Sequence, residues 1–283
     1  MGRYGAAAVI IGNEVLTAKI QDLNGPLLAR RLRDRGIPLR SMSTVPDEID
    51  AIVEAVSRAR EIARYVFTSG GIGPTHDDVT VRAVALALGR NVVRLPSVEQ
   101  MVRAHYGPSM APQALRLAEA PEGTELLRTE GIWYPVLHCD GVYLLPGVPQ
   151  LFGHQLDAVL AQLPGTPLAL RSLYLSADEP QIAPVLDRLA ADMPLVAIGS
   201  YPEFDRRAGY RVKVTVENVE RALVEEAVAR LERELPQGSK WRGALRGRTD
   251  RRRRTAPPGA GGLRPLRGAF PASRADRQRA LGR

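Results

Sequence analysis

Residues 66–89 comprise the end of an apolar strand, a glycine loop and an apolar helix, and this segment restricts the fold more than any other. Three glycines fall within four residues directly after the strand. Two adjacent aspartates follow, and then a run with helical periodicity that stops at Gly89. The residues of the loop that carry chemistry are Gly70, Gly71, Gly73, Asp77 and Asp78.

A loop of this composition is suited to binding phosphate. Glycines let backbone N–H groups approach an anion closely, and the start of the following helix offers its positive dipole end. Two carboxylates beside a phosphate require a cation between them, and Mg²⁺ commonly shares its ligands between carboxylates and phosphate oxygens. The pattern predicts a metal-assisted phosphate site with Asp77 and Asp78 as metal ligands.

Helix capping is an alternative role for the polar residues of the loop. Thr75, Asp77 or Asp78 could accept hydrogen bonds from the first N–H groups of the helix, as Asp and Thr commonly do. Two nucleotide motifs are excluded, because the loop has neither the Gly-Lys-Ser/Thr of a Walker loop nor the spacing of a GxGxxG fingerprint.

The first ninety residues alternate strands and helices. The strands are predicted at 4–11, 39–45 and 65–68, and the helices follow Asn24, Asp47 and the glycine loop. Three such alternations predict an α/β fold with a mostly parallel, doubly wound sheet. Further strands are predicted at 91–95, 131–137 and 141–145, with a helix at 97–106.

Polar residues at the ends of the predicted strands complete the candidate site. The first strand ends at Gly12-Asn13-Glu14, and open α/β sheets bind ligands beyond the carboxyl ends of their strands. The strand at 141–145 leads into Pro146-Gly147-Val148-Pro149. This stiff loop either lines the site or is a plain tight turn with Pro149 at the first helical position.

The chain is predicted to have three parts: an α/β domain over 1–164, a small α+β module over 165–240 with the order β-α-β-β-α, and an Arg/Gly/Pro-rich tail over 241–283. The tail contains thirteen Arg and two Asp, a net charge of +11, so the other residues carry −3 of the total of +8. The tail is predicted to be disordered. It is either a basic arm for nucleic acid or the product of a reading-frame slip, since the chain uses 36 Arg and 3 Lys.

Bulk features favour a cytoplasmic protein. No charged-then-apolar leader precedes the first strand, and the longest apolar run, 6–11, is too short to cross a membrane. The single cysteine, Cys139, excludes an internal disulfide and is interpreted as a buried strand residue. The four histidines show no metal-ligand spacing.

The loop sequence at 68–80, TSGGIGPTHDDVT, closely resembles the signature of the molybdopterin-binding fold. That fold is shared by molybdenum-cofactor proteins of the MoaB and Mog type and by the amino-terminal domains of CinA and of FAD synthase. Residues 173–182 and 198–202 are similar to the second module of the FAD-synthase type. The resemblance covers about residues 5–240.

The resemblance implies roles for sixteen residues. It implies that Asp77, Asp78 and Glu14 are catalytic, with the aspartates as metal ligands. This sequence departs from the family pattern at two positions, because Asn13 and Leu23 stand where an aspartate and a threonine are more common. The residues implied to contact substrate or its phosphates are Asn13, Asp22, Asn24, Ser69, Gly70, Gly71, Gly73, Pro74, Thr75, Thr80, Pro146, Gly147 and Pro149.

The function implied is divalent-metal-dependent hydrolysis of a nucleotide pyrophosphate of the ADP-ribose or FAD class, with Mg²⁺ or another divalent metal as cofactor. One alternative is a protein that binds or adenylylates molybdopterin, with that pterin as ligand. Another is a non-catalytic regulatory protein that kept the fold, which the loss of charge at Asn13 makes credible. The expected partners are a small nucleotide or pterin phosphate and further copies of the chain in a homo-oligomer.

Overall fold

The computed structural model describes residues 4–205 and 208–239. The chain divides into two compact units between Leu168 and Ala169. The interpretation of residues 241–283 as a disordered tail lies outside the described residues. Within the described ranges, no helix is both long enough and apolar enough to cross a membrane.

The first unit is built on a six-stranded sheet in the order β2-β1-β3-β8-β7-β6. The first four strands in this order are parallel to one another, and the last two are antiparallel additions at one side. The mostly parallel sheet predicted from the alternation is confirmed. The strands are β1 (Ala6–Ile11), β2 (Leu39–Val45), β3 (Tyr65–Ser69), β6 (Glu125–Leu127), β7 (Val136–Cys139) and β8 (Val142–Leu145).

Helices cover both faces of this sheet. The side chains of β1 alternate between two cores, because successive residues of a strand point to opposite faces. Ala7 and Val9 pack with α3 and α4, whereas Ala6 and Ala8 pack with α2 and α6. The helices are α1 (Asn13–Leu16), α2 (Asn24–Asp34), α3 (Ile49–Ile62), α4 (Thr80–Ala87), α5 (Pro96–Tyr106), a 3-10 helix (Pro112–Ala118) and α6 (Pro149–Gln162).

Two predicted strands differ from those observed. The predicted strand at 91–95 is β4 (Val92–Arg94), which pairs with β5 (Glu119–Pro121) outside the main sheet, since both sides of β3 are taken by β1 and β8. The strand predicted to begin at 131 begins at Val136 instead. Pro135 has no N–H to donate to a sheet, and Gly131 has a φ of 75°.

The second unit is a three-stranded antiparallel sheet in the order β10-β11-β9 with two helices packed on one face. Its own core contains Leu175 and Val214 from the sheet and Ile182 and Val224 from the helices. The predicted order of elements is confirmed. They are β9 (Ala169–Leu175), α7 (Glu179–Asp192), β10 (Ala197–Pro202), β11 (Val212–Asn218) and α8 (Arg221–Glu234).

Cys139 lies at the end of β7 and is 2% exposed, as the sequence predicted. Burial raises the pKa of its thiol, so the reactive thiolate is scarcer than in an exposed cysteine. We expect the native protein to react slowly with a thiol reagent at pH 8 and to react fully, with one equivalent, after unfolding in guanidinium chloride. Rapid stoichiometric labelling of the native protein would contradict this burial.

Candidate functional site

The carboxyl ends of β1, β2, β3 and β8 meet at one edge of the parallel sheet. Backbone hydrogen bonds continue across this edge beyond the strands themselves. The N–H of Gly12 donates to the carbonyl of Val45 (3.1 Å), and the N–H of Gly70 donates to the carbonyl of Leu145 (3.1 Å). The loops that carry the predicted site residues are therefore brought together by the sheet, as the strand order requires.

The glycine loop lies against the end of β1 at a distance that only glycine permits. Gly70 has a φ of 104°, and a Cβ added there would lie 2.3 Å from the carbonyl oxygen of Ile11. Gly71 has a φ of 66°, and a Cβ there would lie 2.3 Å from the Thr80 hydroxyl. These two glycines are required both by backbone conformation and by space.

Thr80, the first residue of α4, fastens the loop to that helix. It is fully buried, its hydroxyl donates to the carbonyl of Gly70 (2.8 Å), and its N–H donates to the carbonyl of Gly71 (3.0 Å). No side chain caps the start of α4. Thr80 therefore supports the loop from inside, and the first N–H groups of α4 are not occupied by a capping side chain.

The paired aspartates do not form the first turn of the helix, because α4 begins at Thr80, two residues after Asp78. Asp78 instead closes the loop on itself. Its Oδ2 accepts hydrogen bonds from the N–H of Thr75 (2.8 Å) and from the Thr75 hydroxyl (2.5 Å). Asp78 also lies close to Gly73, where an added Cβ would be 2.6 Å from Oδ2. Neither Asp77 nor Asp78 caps the start of α4, so the capping alternative is wrong for them.

Asp77 is the exposed carboxylate of the loop, with 61% of its side chain accessible. The pKa of this carboxyl lies below its ordinary value, because the Thr75 hydroxyl, whose one proton can be donated to either Asp77 or Asp78, and the N–H of Asp77 itself stabilise the carboxylate. The His76 ring lies 3.8 Å away and stabilises the carboxylate when it is protonated. Asp77 is therefore ionised throughout the neutral range and faces solvent, as a metal ligand requires.

A further carboxylate, Asp47, lies at the end of β2 and was not identified from the sequence as a site residue. Its Oδ2 accepts a hydrogen bond from the N–H of Asn13 (2.8 Å). Glu14, one residue further, folds back so that its Oε1 lies over Gly12. A carboxylate of another strand end thus lies at the backbone of Asn13. The rule that selected Glu14, a polar residue directly after a parallel strand, would also have selected Asp47.

Asp22, Asn24 and Ser69 form internal connections beneath the site. Asp22 Oδ1 accepts from the N–H groups of Asn24 and Gly25 (2.9 Å each) and so caps the start of α2. Asn24 is 5% exposed, and its amide donates to the Ser69 hydroxyl (2.9 Å) and to the carbonyl of Gly147 (2.8 Å). Its Oδ1 is buried without a partner among the described residues.

The Pro146-Gly147-Val148-Pro149 loop packs directly on the glycine loop. Pro146 is buried, whereas Gly147 is exposed, and a Cβ added to Gly147 would lie 3.5 Å from the Cα of Gly70. Pro149 is the first residue of α6. The two interpretations of this segment, a helix-starting turn and a loop that lines the site, are therefore compatible, because the loop starts α6 and also borders the candidate site.

Arg116, from the 3-10 helix, is a second residue that sequence reasoning did not identify. Its Nη1 donates to the carbonyls of Pro74 (3.3 Å) and Thr75 (3.2 Å). The contact joins residues about forty positions apart in a segment with no readable periodicity, so no sequence signal marks it. It places a guanidinium beside the loop that carries Asp77 and Asp78.

Fold and site together define a doubly wound α/β protein with a glycine loop and carboxylates at the carboxyl edge of its parallel strands. Residues 7–171 match the family described as "Probable molybdopterin binding domain", and residues 167–242 match "FAD synthase, middle domain". The chain belongs to the molybdopterin-binding domain family, in the two-part arrangement of the FAD synthase relatives. The resemblance inferred from the loop is confirmed.

Known relatives agree with this assignment. A protein of Aeropyrum pernix is 33% identical over 208 residues, covering 69% of this chain and 78% of the relative. A "Probable FAD synthase" of Caenorhabditis elegans is 32% identical over 264 residues, covering 83% of this chain, which spans half the length of that relative. The crystal structure of CinA, "with unknown function", from Thermoplasma acidophilum superposes with a TM-score of 0.52 at 30% identity, covering 56% of this chain and 97% of CinA.

The close approach of Gly70 to Ile11 gives a matched pair of substitutions. We expect Gly70→Ala to lower the free energy of unfolding by about 1–3 kcal/mol, because a Cβ there meets a backbone carbonyl at a positive φ. Gly147→Ala, in the adjacent loop, adds only an ordinary contact and should change it by no more than about 0.5 kcal/mol. Urea denaturation measures both, and equal effects would show that the loop tolerates a side chain.

Proposed function

We propose that this protein hydrolyses the pyrophosphate of a dinucleotide of the FAD or ADP-ribose class with the help of a divalent metal. The observation that carries the proposal is the glycine loop, in which backbone glycines and two carboxylates, Asp77 and Asp78, lie together at the carboxyl edge of the sheet. The similarity to a probable FAD synthase supports a flavin nucleotide as one substrate class.

The phosphate would bind at the turn of the loop and the start of α4. Gly70 and Gly71 have positive φ, and Thr80 keeps the turn in place through the carbonyls of both. Because the N–H of Gly70 already donates to the carbonyl of Leu145, the phosphate would be bound by N–H groups further along the loop and at the start of α4. Arg116 adds positive charge on the far side of Pro74 and Thr75. These groups offset the negative charge of a pyrophosphate without a lysine in the loop.

The carboxylates of the loop fit a cation that takes part of its coordination from the substrate. Within residues 4–205 and 208–239, no three His, Cys, Asp or Glu side chains lie together as a complete metal site. Two carboxylates, supplemented by phosphate oxygens and water, are a usual donor set for Mg²⁺. When bound, such an ion neutralises charge that develops on the phosphate oxygens. Asp77 and Asp78 would hold it.

Hydrolysis needs a water molecule placed opposite the bridging oxygen of the pyrophosphate. Glu14 and Asp47 are the carboxylates at the ends of the neighbouring strands, and we assign to Glu14 the orientation of that water. Attack of water on one phosphorus breaks the P–O–P bridge. The products are AMP and a second phosphate ester, which is FMN from FAD or ribose 5-phosphate from ADP-ribose.

Product analysis tests the proposal. We expect the full-length chain to release AMP from FAD or ADP-ribose in the presence of Mg²⁺, Mn²⁺ or Co²⁺, and to release none with EDTA. Asp77→Asn and Asp78→Asn should each lower the rate by about 10²- to 10³-fold, the usual effect of removing a group that stabilises transition-state charge. Chromatography of the nucleotides measures both.

A matched control is Asp157→Asn. Asp157 of α6 forms a solvent-exposed ion pair with Arg31 of α2, so its substitution should leave the rate unchanged. Absence of AMP with every metal and both dinucleotides would overturn hydrolysis. Tight binding of molybdopterin in that case would favour the pterin-binding alternative, and absence of both would favour the regulatory one.

A further inference from the structure

A cavity of about 370 Å³ lies in the first unit, outside the residues assigned to the phosphate site. It is bordered by the connection between β6 and β7 and by one residue of α5. Its walls are mainly apolar, and two oppositely charged side chains also border it. The residues used below are Met101, Arg128, Glu130, Ile132, Trp133 and Pro135.

Trp133 is held in a fixed orientation by neighbouring rings. The His105 ring stacks on one face of the indole, with centroids 4.1 Å apart and planes 9° apart. Tyr106 and Tyr134 contact it at steep angles, at 5.8 Å and 5.4 Å. Burial lowers the pKa of His105, which keeps this ring neutral at pH 7. The cavity therefore has a preorganised aromatic wall.

The cavity is at the same edge of the sheet as the glycine loop. β7 runs antiparallel to β8, with Leu137 opposite Leu144, so the segment that leads into β7 lies beside the carboxyl end of β8. β7 is two strands away from β3, which is roughly 10 Å at the usual strand spacing. A nucleotide, with its sugar between the base and the phosphates, spans a separation of this order.

The 3-10 helix contacts both the wall of the cavity and the glycine loop. The Tyr134 hydroxyl donates to the carbonyl of Leu117 (2.9 Å), and the preceding residue, Arg116, donates to the carbonyls of Pro74 and Thr75. One short helix thus contacts both the aromatic wall and the glycine loop. The spacing between cavity and loop is set by this helix as well as by the sheet.

We propose that this cavity binds the planar heterocyclic ring of the nucleotide whose phosphates lie on the glycine loop. Its volume is at the small end for ligand pockets, which suits one ring system and not a whole dinucleotide. Tryptophan stacks on bases of any identity, and Met101, Ile132 and Pro135 supply apolar contact. Glu130 can accept from an exocyclic amine, and Arg128 can donate to a ring nitrogen or carbonyl.

The location of the phosphates in this proposal rests on the proposed function, so the test is a binding measurement that needs no turnover. The chain has two tryptophans, Trp133 and Trp241. In a Trp241→Phe background, the fluorescence of Trp133 alone can be followed. We expect AMP and FMN to change it saturably, whereas ribose 5-phosphate and inorganic pyrophosphate, which lack the ring, should not. Free tryptophan serves as the control for absorption by FMN.

Substitutions assign the signal to the cavity. Calorimetry of Trp133→Ala should show AMP binding weakened by about 5- to 150-fold, the range for loss of one base–aromatic stack, with pyrophosphate binding unchanged. Trp133→Phe should retain most of the affinity. If Trp133→Ala does not fold, Glu130→Gln and Arg128→Ala, at exposed positions, replace it, and each should weaken AMP binding without affecting pyrophosphate.

Equal affinity for AMP and ribose 5-phosphate, or undiminished AMP binding in these variants, would overturn the proposal. Its failure is distinguishable from that of the proposed function. Ring-dependent binding without hydrolysis supports the cavity and rejects the pyrophosphatase. Hydrolysis of FAD or ADP-ribose with an unchanged KM in Trp133→Ala rejects the cavity and supports the pyrophosphatase. Tighter binding of AMP than of FMN, measured by calorimetry, would assign the cavity to adenine, and the reverse would assign it to flavin.

Discussion

The candidate site depends on the approach of Gly70 to the carbonyl of Ile11. Because a Cβ at position 70 would lie 2.3 Å from that oxygen, the loop after β3 can lie on the end of β1 only with glycine there. The same backbone then reaches Leu145 at the end of β8. Three parallel strands are therefore joined at their carboxyl ends by main chain. The loops that follow those strands therefore lie at one edge of the sheet.

Polar groups buried beneath this contact hold the loops in register. Thr80 satisfies the carbonyl of Gly70, and the Asn24 amide connects the hydroxyl of Ser69 to the carbonyl of Gly147. Buried hydrogen bonds of this kind fix geometry because leaving a partner unsatisfied costs about 1–3 kcal/mol. The buried Oδ1 of Asn24, which lacks a partner in the described part of the chain, is the one exception in this group. Asn24, Ser69 and Thr80, which the resemblance assigns to substrate contact, are buried and support the loops, whereas Asp77 is exposed to solvent.

The charged groups of the glycine loop have partners mainly within the loop and in the 3-10 helix. Asp78 is occupied by Thr75, while Asp77 faces solvent and is kept ionised. Arg116 approaches the same turn from the 3-10 helix and contacts carbonyl oxygens, not a carboxylate. Since an arginine has five N–H donors and these two contacts use one nitrogen, the guanidinium retains donors for an anion. The loop thus combines the solvent-exposed carboxylate of Asp77 with a guanidinium whose contacts with the described loop residues use one nitrogen.

The sequence by itself determined the alternating α/β fold, the order of the second unit and the family, because periodicity and the motif at 68–80 are local properties. It also located the glycine loop, whose residue types are dictated by backbone conformation. It did not determine that Asp78 turns back to Thr75, that α4 starts only at Thr80, or that the strand before Cys139 starts at Val136. Only the tertiary structure brought Asp47 to Asn13, Arg116 to Pro74 and Trp133 to His105. These contacts join residues separated by 28 to 42 positions, and no local pattern encodes them, since they follow from strand order and from how the loops pack at one edge of the sheet.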